Sequence, residues 1–131
     1  ILPLSGSIEI IKNFFYIIPT NNTGAAFSIL IGQRIFLILI TIAILAFLIQ
    51  YIKKNKIERK IDIISFSFII GGSLGNLIDR IIRGSVIDFI SLKLGNYNFP
   101  IFNIADTLIV VGVILLLLGA KGGNKHDNRW K

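Results

Sequence analysis

The chain has 131 residues, 53% of them hydrophobic and only 16% charged, with a formal net charge of +7 and neither Cys nor Met. A soluble domain carries about one quarter charged residues, and a disordered chain of this charge lacks such Ile, Leu and Phe, so the composition fits neither class. Without Cys there is no disulfide framework, thiolate nucleophile or Cys-based metal site. The basic residues lie on no amphipathic element, which argues against a nucleic-acid partner. The remaining class is a small membrane protein, read here as one membrane-embedded domain over residues 1–131.

Residues 1–33 form the first segment, with Glu9 and Lys12 its only charges before Gln33. Ser7 to Ile18 is rich in Ile, Phe and Tyr and short of helix stops, which predicts one or two β-strands. Asn21-Asn22-Thr23-Gly24 reads as a turn cluster. From Ile35 to Ile52 no residue is charged, and Arg34 and Lys53 bracket the run. Such a stretch approaches the roughly 20 apolar residues that cross a hydrocarbon core, so a first span is expected at about 34–52. Lys53, Lys54, Lys56, Arg59 and Lys60 against Glu58 then make a strongly basic loop.

A second span is expected at about 62–80. Its uncharged core runs from Ile63 to Ile78, between Asp62 and Asp79, and ends in small and polar residues: Gly71, Gly72, Ser73, Gly75 and Asn76. Small residues let helix backbones approach closely in lipid, so this end should face other helices. The loop 84–101 holds apolar residues around a turn at Gly95-Asn96, and should pair with the first segment. A third span follows at about 102–120, with Asn103 and Asp106 near its start, and residues 121–131 form a second basic segment.

Charge orients these spans. Short segments rich in Lys and Arg stay cytoplasmic, which places the loop after Lys53 and the C-terminal tail inside, and residues 1–33 and 84–101 outside. Three spans with the C-terminus inside leave Ile1 outside. This predicts a further helix ahead of Ile1, absent from this chain, and hence a four-transmembrane-helix bundle with a small extracytoplasmic β-cradle.

The residues that cost energy where they sit carry the chemistry. Asp106 lies about one turn inside the third span, with Asn103 three positions before it on the same face. A carboxylate near a helix N-terminus also complements the macrodipole. Asn76 and Arg80 share a face of the second span, with Asp79 beside them as a possible ion-pair partner. Asp88 stands in the apolar run Val86-Ile87-Asp88-Phe89. The lone His126 falls in the basic tail, which leaves no Ser-His-Asp triad and no His-rich metal site. Two carboxylates in an apolar setting share one proton, and such a pair activates water. Spacing alone does not bring Asp88 to Asp106, and intramembrane Asp, Asn and Arg equally mark ion pathways or a polar scaffold.

Four blocks add to this reading: Asn22-Thr23-Gly24-Ala25-Ala26-Phe27-Ser28, Gly71-Gly72-Ser73-Leu74-Gly75-Asn76-Leu77-Ile78-Asp79-Arg80, Gly84-Ser85-Val86-Ile87-Asp88-Phe89 and Phe102-Asn103-Ile104-Ala105-Asp106. In this order they resemble the signature blocks of the lipoprotein signal peptidases (signal peptidase II), from about Leu2 to Leu118. The resemblance implies an inner-membrane aspartyl endopeptidase, multi-pass and sufficient as a monomer, with no cofactor and no metal. It implies a diacylglyceryl-modified prolipoprotein substrate that reaches the site through membrane lipid and is cut before its lipid-bearing Cys. The family's catalytic pair falls on Asp88 and Asp106, near the outer face, and its supporting residues fall on Asn22, Asn76, Arg80 and Asn103. Asp79 takes a structural role beside Arg80. The family's first helix, with its Asp-Gln-x-x-Lys motif, has no counterpart here, and Ser73 stands where Ala is common.

Overall fold

A computed structural model describes residues 6–23 and 33–126, with side chains as far as residue 121. The block Gly24 to Ser28 therefore lies outside the described residues, as does the side chain of His126. Three long apolar helices and one small sheet make up the described chain: strands β1 (Ile8–Ile11) and β2 (Phe15–Asn22), helices α1 (Arg34–Lys54) and α2 (Lys60–Arg83), strands β3 (Val86–Leu94) and β4 (Tyr97–Asn98), and helix α3 (Ile104–His126). The helices run alternately between a sheet end, where Arg34, Arg83 and Ile104 lie, and a basic end, where Lys54, Lys60 and Lys121 lie. All three are long and apolar enough to cross a membrane.

The helices differ in what they bury. Helix α1 is apolar all round, and Ile35, Leu39 and Phe47 are among many large side chains left exposed along it. In water such a surface aggregates; in a bilayer it is solvated by acyl chains. Helix α2 buries Asp62, Ser65, Phe66, Ile69, Gly72, Asn76, Leu77 and Arg80. These recur every three or four residues, one stripe of a 3.6-residue period, and the stripe mixes polar and small side chains with apolar ones. It faces α3. At Gly72 an added Cβ would stand 2.5 Å from the Ala105 carbonyl oxygen, and at Gly112 one would stand 2.8 Å from that of Ser65. Only hydrogen fits at these crossings, so the two backbones pack at near-minimal separation. Gly71 instead faces open space, and Gly75, though exposed, lies at the edge of the contact, where an added Cβ would stand 3.9 Å from the Ala105 side chain.

The helices also overrun the uncharged stretches read from the sequence. Helix α2 begins at Lys60 and adds Ile81, Ile82 and Arg83 beyond Arg80, until Gly84, in a left-handed conformation (φ 80°), ends it. Gly tolerates that conformation without a Cβ clash. Helix α3 continues past Lys121 to His126, so the basic tail starts as helix.

The sheet is antiparallel in the order β1-β2-β3-β4. The two segments expected to pair do so: Phe15 faces Leu92 and Asn22 faces Val86. The register shifts between Ile17 and Thr20, where Pro19 has no N–H to give the ladder. Beyond this bulge Thr20 and Asn22 are buried and Asn21 is exposed. Asn21 and Asn22 thus belong to a strand, contrary to the expected turn. Their intrinsic turn preference is overridden by pairing with Ile87 and Val86, and by side-chain hydrogen bonds across the pair.

Candidate active site

The site lies where β2, β3, α2 and the start of α3 meet. Strand β3 brings Asp88 there through a short clamp to the chain just ahead of α3. The Phe89 and Ile90 amides donate to the Phe102 carbonyl at 2.9 and 2.8 Å, and the Phe102 amide donates back to Ile90 at 3.1 Å. Asn103 follows directly and caps α3. Its Oδ1 accepts from the Asp106 amide at 2.9 Å, while its own amide donates to Asp106 Oδ2 at 3.3 Å. This is a reciprocal capping box with Asn and Asp in the two side-chain roles. The cap fixes the carboxylate of Asp106 one turn into the helix.

The same Asn103 joins the two carboxylates. Its Nδ2 donates to Asp88 Oδ1 at 2.9 Å and to Asn76 Oδ1 at 3.1 Å. Asn76 in turn donates through Nδ2 to Asp106 Oδ1 at 2.9 Å. Asn22 completes the ring from β2, donating to Asp88 Oδ2 at 2.7 Å. Each carboxylate thus accepts on both oxygens from neutral donors supplied by separate elements. Asn22 and Asp88 are fully buried, and Asp106, Asn76, Asn103 and Arg80 are nearly so. Arg80, one turn past Asn76 on the α2 stripe, lies within Coulombic reach of both Asp106 and Asp88. Asp79 is half-buried and acts on Arg80 less than the two deeper carboxylates do.

Burial governs the electrostatics of Asp88. Desolvation disfavours its ionised form and pushes its pKa up to about 6, reinforced by the negative charge of Asp106 and opposed by the Asn22 and Asn103 hydrogen bonds and the Arg80 cation. A carboxyl poised there exchanges its proton near neutral pH. Among the described residues, no group of three or more His, Cys, Asp or Glu side chains is arranged to hold a metal ion.

The structure therefore gathers Asn22, Asn76, Arg80, Asp88, Asn103 and Asp106 in one place. It also shows residues that the sequence reading passed over. Thr20, buried opposite Asp88 in the ladder, donates its hydroxyl to the Asp88 carbonyl at 3.0 Å. Ser85 bonds the side chain of Asn21 across the same pair. Arg34 donates to the carbonyls of Arg80 and Ile81, both at 3.0 Å. A polar Thr closing an apolar strand was the one local signal for Thr20; Arg34 read only as the boundary of a span. A cavity of about 360 Å³ opens elsewhere, at the basic end, with Phe47, Tyr51, Arg59, Asp62, Phe66 and Leu116 among its walls.

Residues 2–120 match the family described as Signal peptidase (SPase) II. The lipoprotein signal peptidase of Bacillus pumilus (strain SAFR-032) is 43% identical over 115 residues, spanning 88% of this chain and 74% of that protein. That of Bacillus subtilis (strain 168) is 44% identical over 117 residues, 89% of this chain and 76% of that protein. A solved structure described as a bacterial membrane enzyme superposes with a TM-score of 0.84 at 37% identity, covering 95% of this chain and 76% of that one. Sequence blocks, helix arrangement and overall similarity agree along nearly the whole length, and the chain belongs to the signal peptidase II family.

Proposed function

We propose that the protein is an intramembrane aspartyl endopeptidase that removes signal peptides from diacylglyceryl-modified prolipoproteins, cutting just before the lipid-bearing Cys and using no metal. Family membership supports the protease and its prolipoprotein substrate. The observation that carries the aspartyl reading is the double role of Asn103, whose side-chain amide donates to Asp88 and whose backbone amide donates to Asp106, two buried carboxylates from different elements.

Two carboxyl groups at such a site cannot both ionise, so the pair holds one proton. The ionised carboxylate takes a proton from a water molecule as its oxygen attacks the scissile carbonyl carbon. The protonated carboxyl hydrogen-bonds the carbonyl oxygen and neutralises the charge that develops there. Collapse of the tetrahedral intermediate breaks the C–N bond, and a proton passes to the leaving amine. The products are a signal peptide with a new carboxylate and a lipid-modified Cys with a free amino group. Asn22, Asn76 and Asn103 orient the carboxylates through the hydrogen bonds described. Arg80 supplies the positive charge that keeps one of them ionised, or binds a substrate carbonyl.

The basic segments support a cytoplasmic C-terminus, a sheet that forms a cradle on the outer side of the inner membrane, and a carboxylate pair near that face. A signal helix and its lipid then arrive laterally, between helices of the bundle, and one monomer contains one complete pair. The test is cleavage of a purified diacylglyceryl-modified prolipoprotein, followed by mass spectrometry of both products. The reading expects a cut before the modified Cys, insensitive to chelators, and lost in Asp88→Asn and Asp106→Asn variants that remain folded. Cleavage that persists in either variant removes that Asp from the pair. A folded parent that conducts ions in vesicles and cuts nothing supports a transport pathway instead.

A further inference from the structure

The α2–β3 corner links the two halves of the site. Arg80 and Asn76 lie just before it and Asp88 just after it. Its backbone turns at Gly84, whose amide donates to the Arg80 carbonyl at 2.9 Å. Arg34 reaches this corner from another helix. Nε donates to the Arg80 carbonyl and Nη2 to the Ile81 carbonyl, each at 3.0 Å. A Cβ at Gly84 would stand 3.4 Å from Nη1 of the same guanidinium, so the cation packs against the turn as well as bonding it.

The position of Arg34 makes little sense within its own helix. It is the first residue of α1, whose first turn holds no acidic side chain, and a cation there opposes the helix dipole. Against the C-terminal carbonyls of α2 the same cation is favourable, because those orphan acceptors carry the negative end of that dipole. A guanidinium offers two donors in a fixed fork, and thereby sets direction as well as distance.

We propose that Arg34 is a positioning residue for the Asp88–Asp106 pair: its fork on Arg80 and Ile81 fixes the α2–β3 corner, and with it the angle at which Asn76 and Arg80 meet Asp88. The inference rests on the aspartyl reading above. Displacement at the corner passes through Ser85 and Val86, both buried, directly to Asp88. A misplacement of about 1 Å remote from the reacting atoms can cost on the order of 100-fold in rate.

The experiment measures kcat and KM of prolipoprotein cleavage for the parent and for Arg34→Ala, Arg34→Lys, Arg83→Ala and Asp88→Asn, with thermal unfolding in detergent to confirm folding. Arg34→Ala should lose on the order of 10- to 100-fold in kcat with KM nearly unchanged. Arg34→Lys, which reaches one carbonyl without the fork, should fall between. Added guanidinium should restore part of the rate in the alanine variant, and ammonium at equal ionic strength should not. Arg83→Ala, which removes an exposed cation from the same helix end, should turn over like the parent. Parental kcat in Arg34→Ala beside an inert Asp88→Asn overturns the positioning role and leaves the pair intact. A loss confined to KM, or one that neither Lys nor guanidinium relieves, overturns it too. Cleavage by Asp88→Asn at the parental rate overturns the aspartyl reading and the inference with it. Should the alanine variant fail to fold, an intermediate kcat at parental KM in Arg34→Lys supports the role, and parental kcat there overturns it.

Discussion

Asp62 at the basic end and the Asp88–Asp106 pair at the sheet end are equally withdrawn from solvent, with exposures of 3%, 0% and 2%, yet they are held in opposite ways. Asp62 meets Arg59, three residues earlier, through two hydrogen bonds of 2.9 and 3.2 Å. That bidentate pair neutralises the carboxylate locally and ties it to one counter-ion. Asp88 and Asp106 instead accept from the side-chain amides of Asn22, Asn76 and Asn103, brought from β2, α2 and the cap of α3. Neutral amides satisfy the oxygens without fixing the charge. One arrangement builds a stable helix end, and the other leaves acids that can exchange a proton.

Removing the Asn103 side chain should have the largest effect. Asn103→Ala removes the side-chain donor to Asp88 and Asn76 and the Oδ1 that caps α3 at Asp106, and is expected to reduce kcat by about 100- to 1,000-fold. Its cost in stability should be about 1 kcal/mol, the usual worth of a cap. Steady-state cleavage and a urea melt of the same preparation separate the two. Gly72→Val comes next. Its side chain would meet the Ala105 carbonyl and Ile109, forcing α2 and α3 apart, at a cost of about 1 to 3 kcal/mol. A lowered unfolding midpoint and a lower kcat should appear together, since the same crossing sets the distance from Asn76 to Asp106.

The comparison also has a pH signature. The Asp88 carboxyl sits at about 6 in the folded protein, above its value in an unfolded chain. Its contribution to stability is therefore complete below the ordinary carboxylate range and disappears as pH rises through about 6, a difference of roughly 2 to 3 kcal/mol. Thermal melts of the parent should weaken between about pH 4 and 7 relative to Asp88→Asn, in which this group does not titrate. Parallel curves for the two would place Asp88 in an ordinary polar environment. Activity should run the other way, rising from acid pH as the pair loses its first proton, with an apparent pKa that belongs to the pair. The smallest effect on turnover should come from the other end. Asp62→Asn is expected to cost about 1 to 3 kcal/mol by leaving Arg59 short of its counter-ion, while kcat per folded molecule stays at the parental value. A fall in kcat would show that the two ends are coupled.

How far these features were legible depends on whether their cause is local. The three helices announce themselves because uncharged runs between charged residues have no other stable setting. The β2–β3 pairing followed from two apolar, β-rich segments with a turn at Gly95-Asn96. The Arg59–Asp62 pair, three residues apart, lies within the reach of spacing rules. The cap joining Asn103 to Asp106 is local too, and their shared face was read from the three-residue step. The approach of Asp88 to Asp106 was not, because it depends on the Phe102–Ile90 clamp between segments whose pairing no short-range pattern encodes; the motif resemblance pointed to both residues instead. Asn21 and Asn22 were misread as a turn because a propensity describes the residue alone, and here the partner strand decides. Thr20 and Arg34 escaped notice because their contacts are to backbone carbonyls far away in sequence, which leave no mark on side-chain patterns.

The central claim is that Asp88 and Asp106 act on one water molecule as a unit. Single-turnover cleavage of a diacylglyceryl-modified prolipoprotein by Asp88→Asn, Asp106→Asn and the double variant tests it most directly. Groups that act together are non-additive, so each single variant should fall as far as the double. A double variant slower than either single by the product of their separate losses would show two independent contributions and contradict the account.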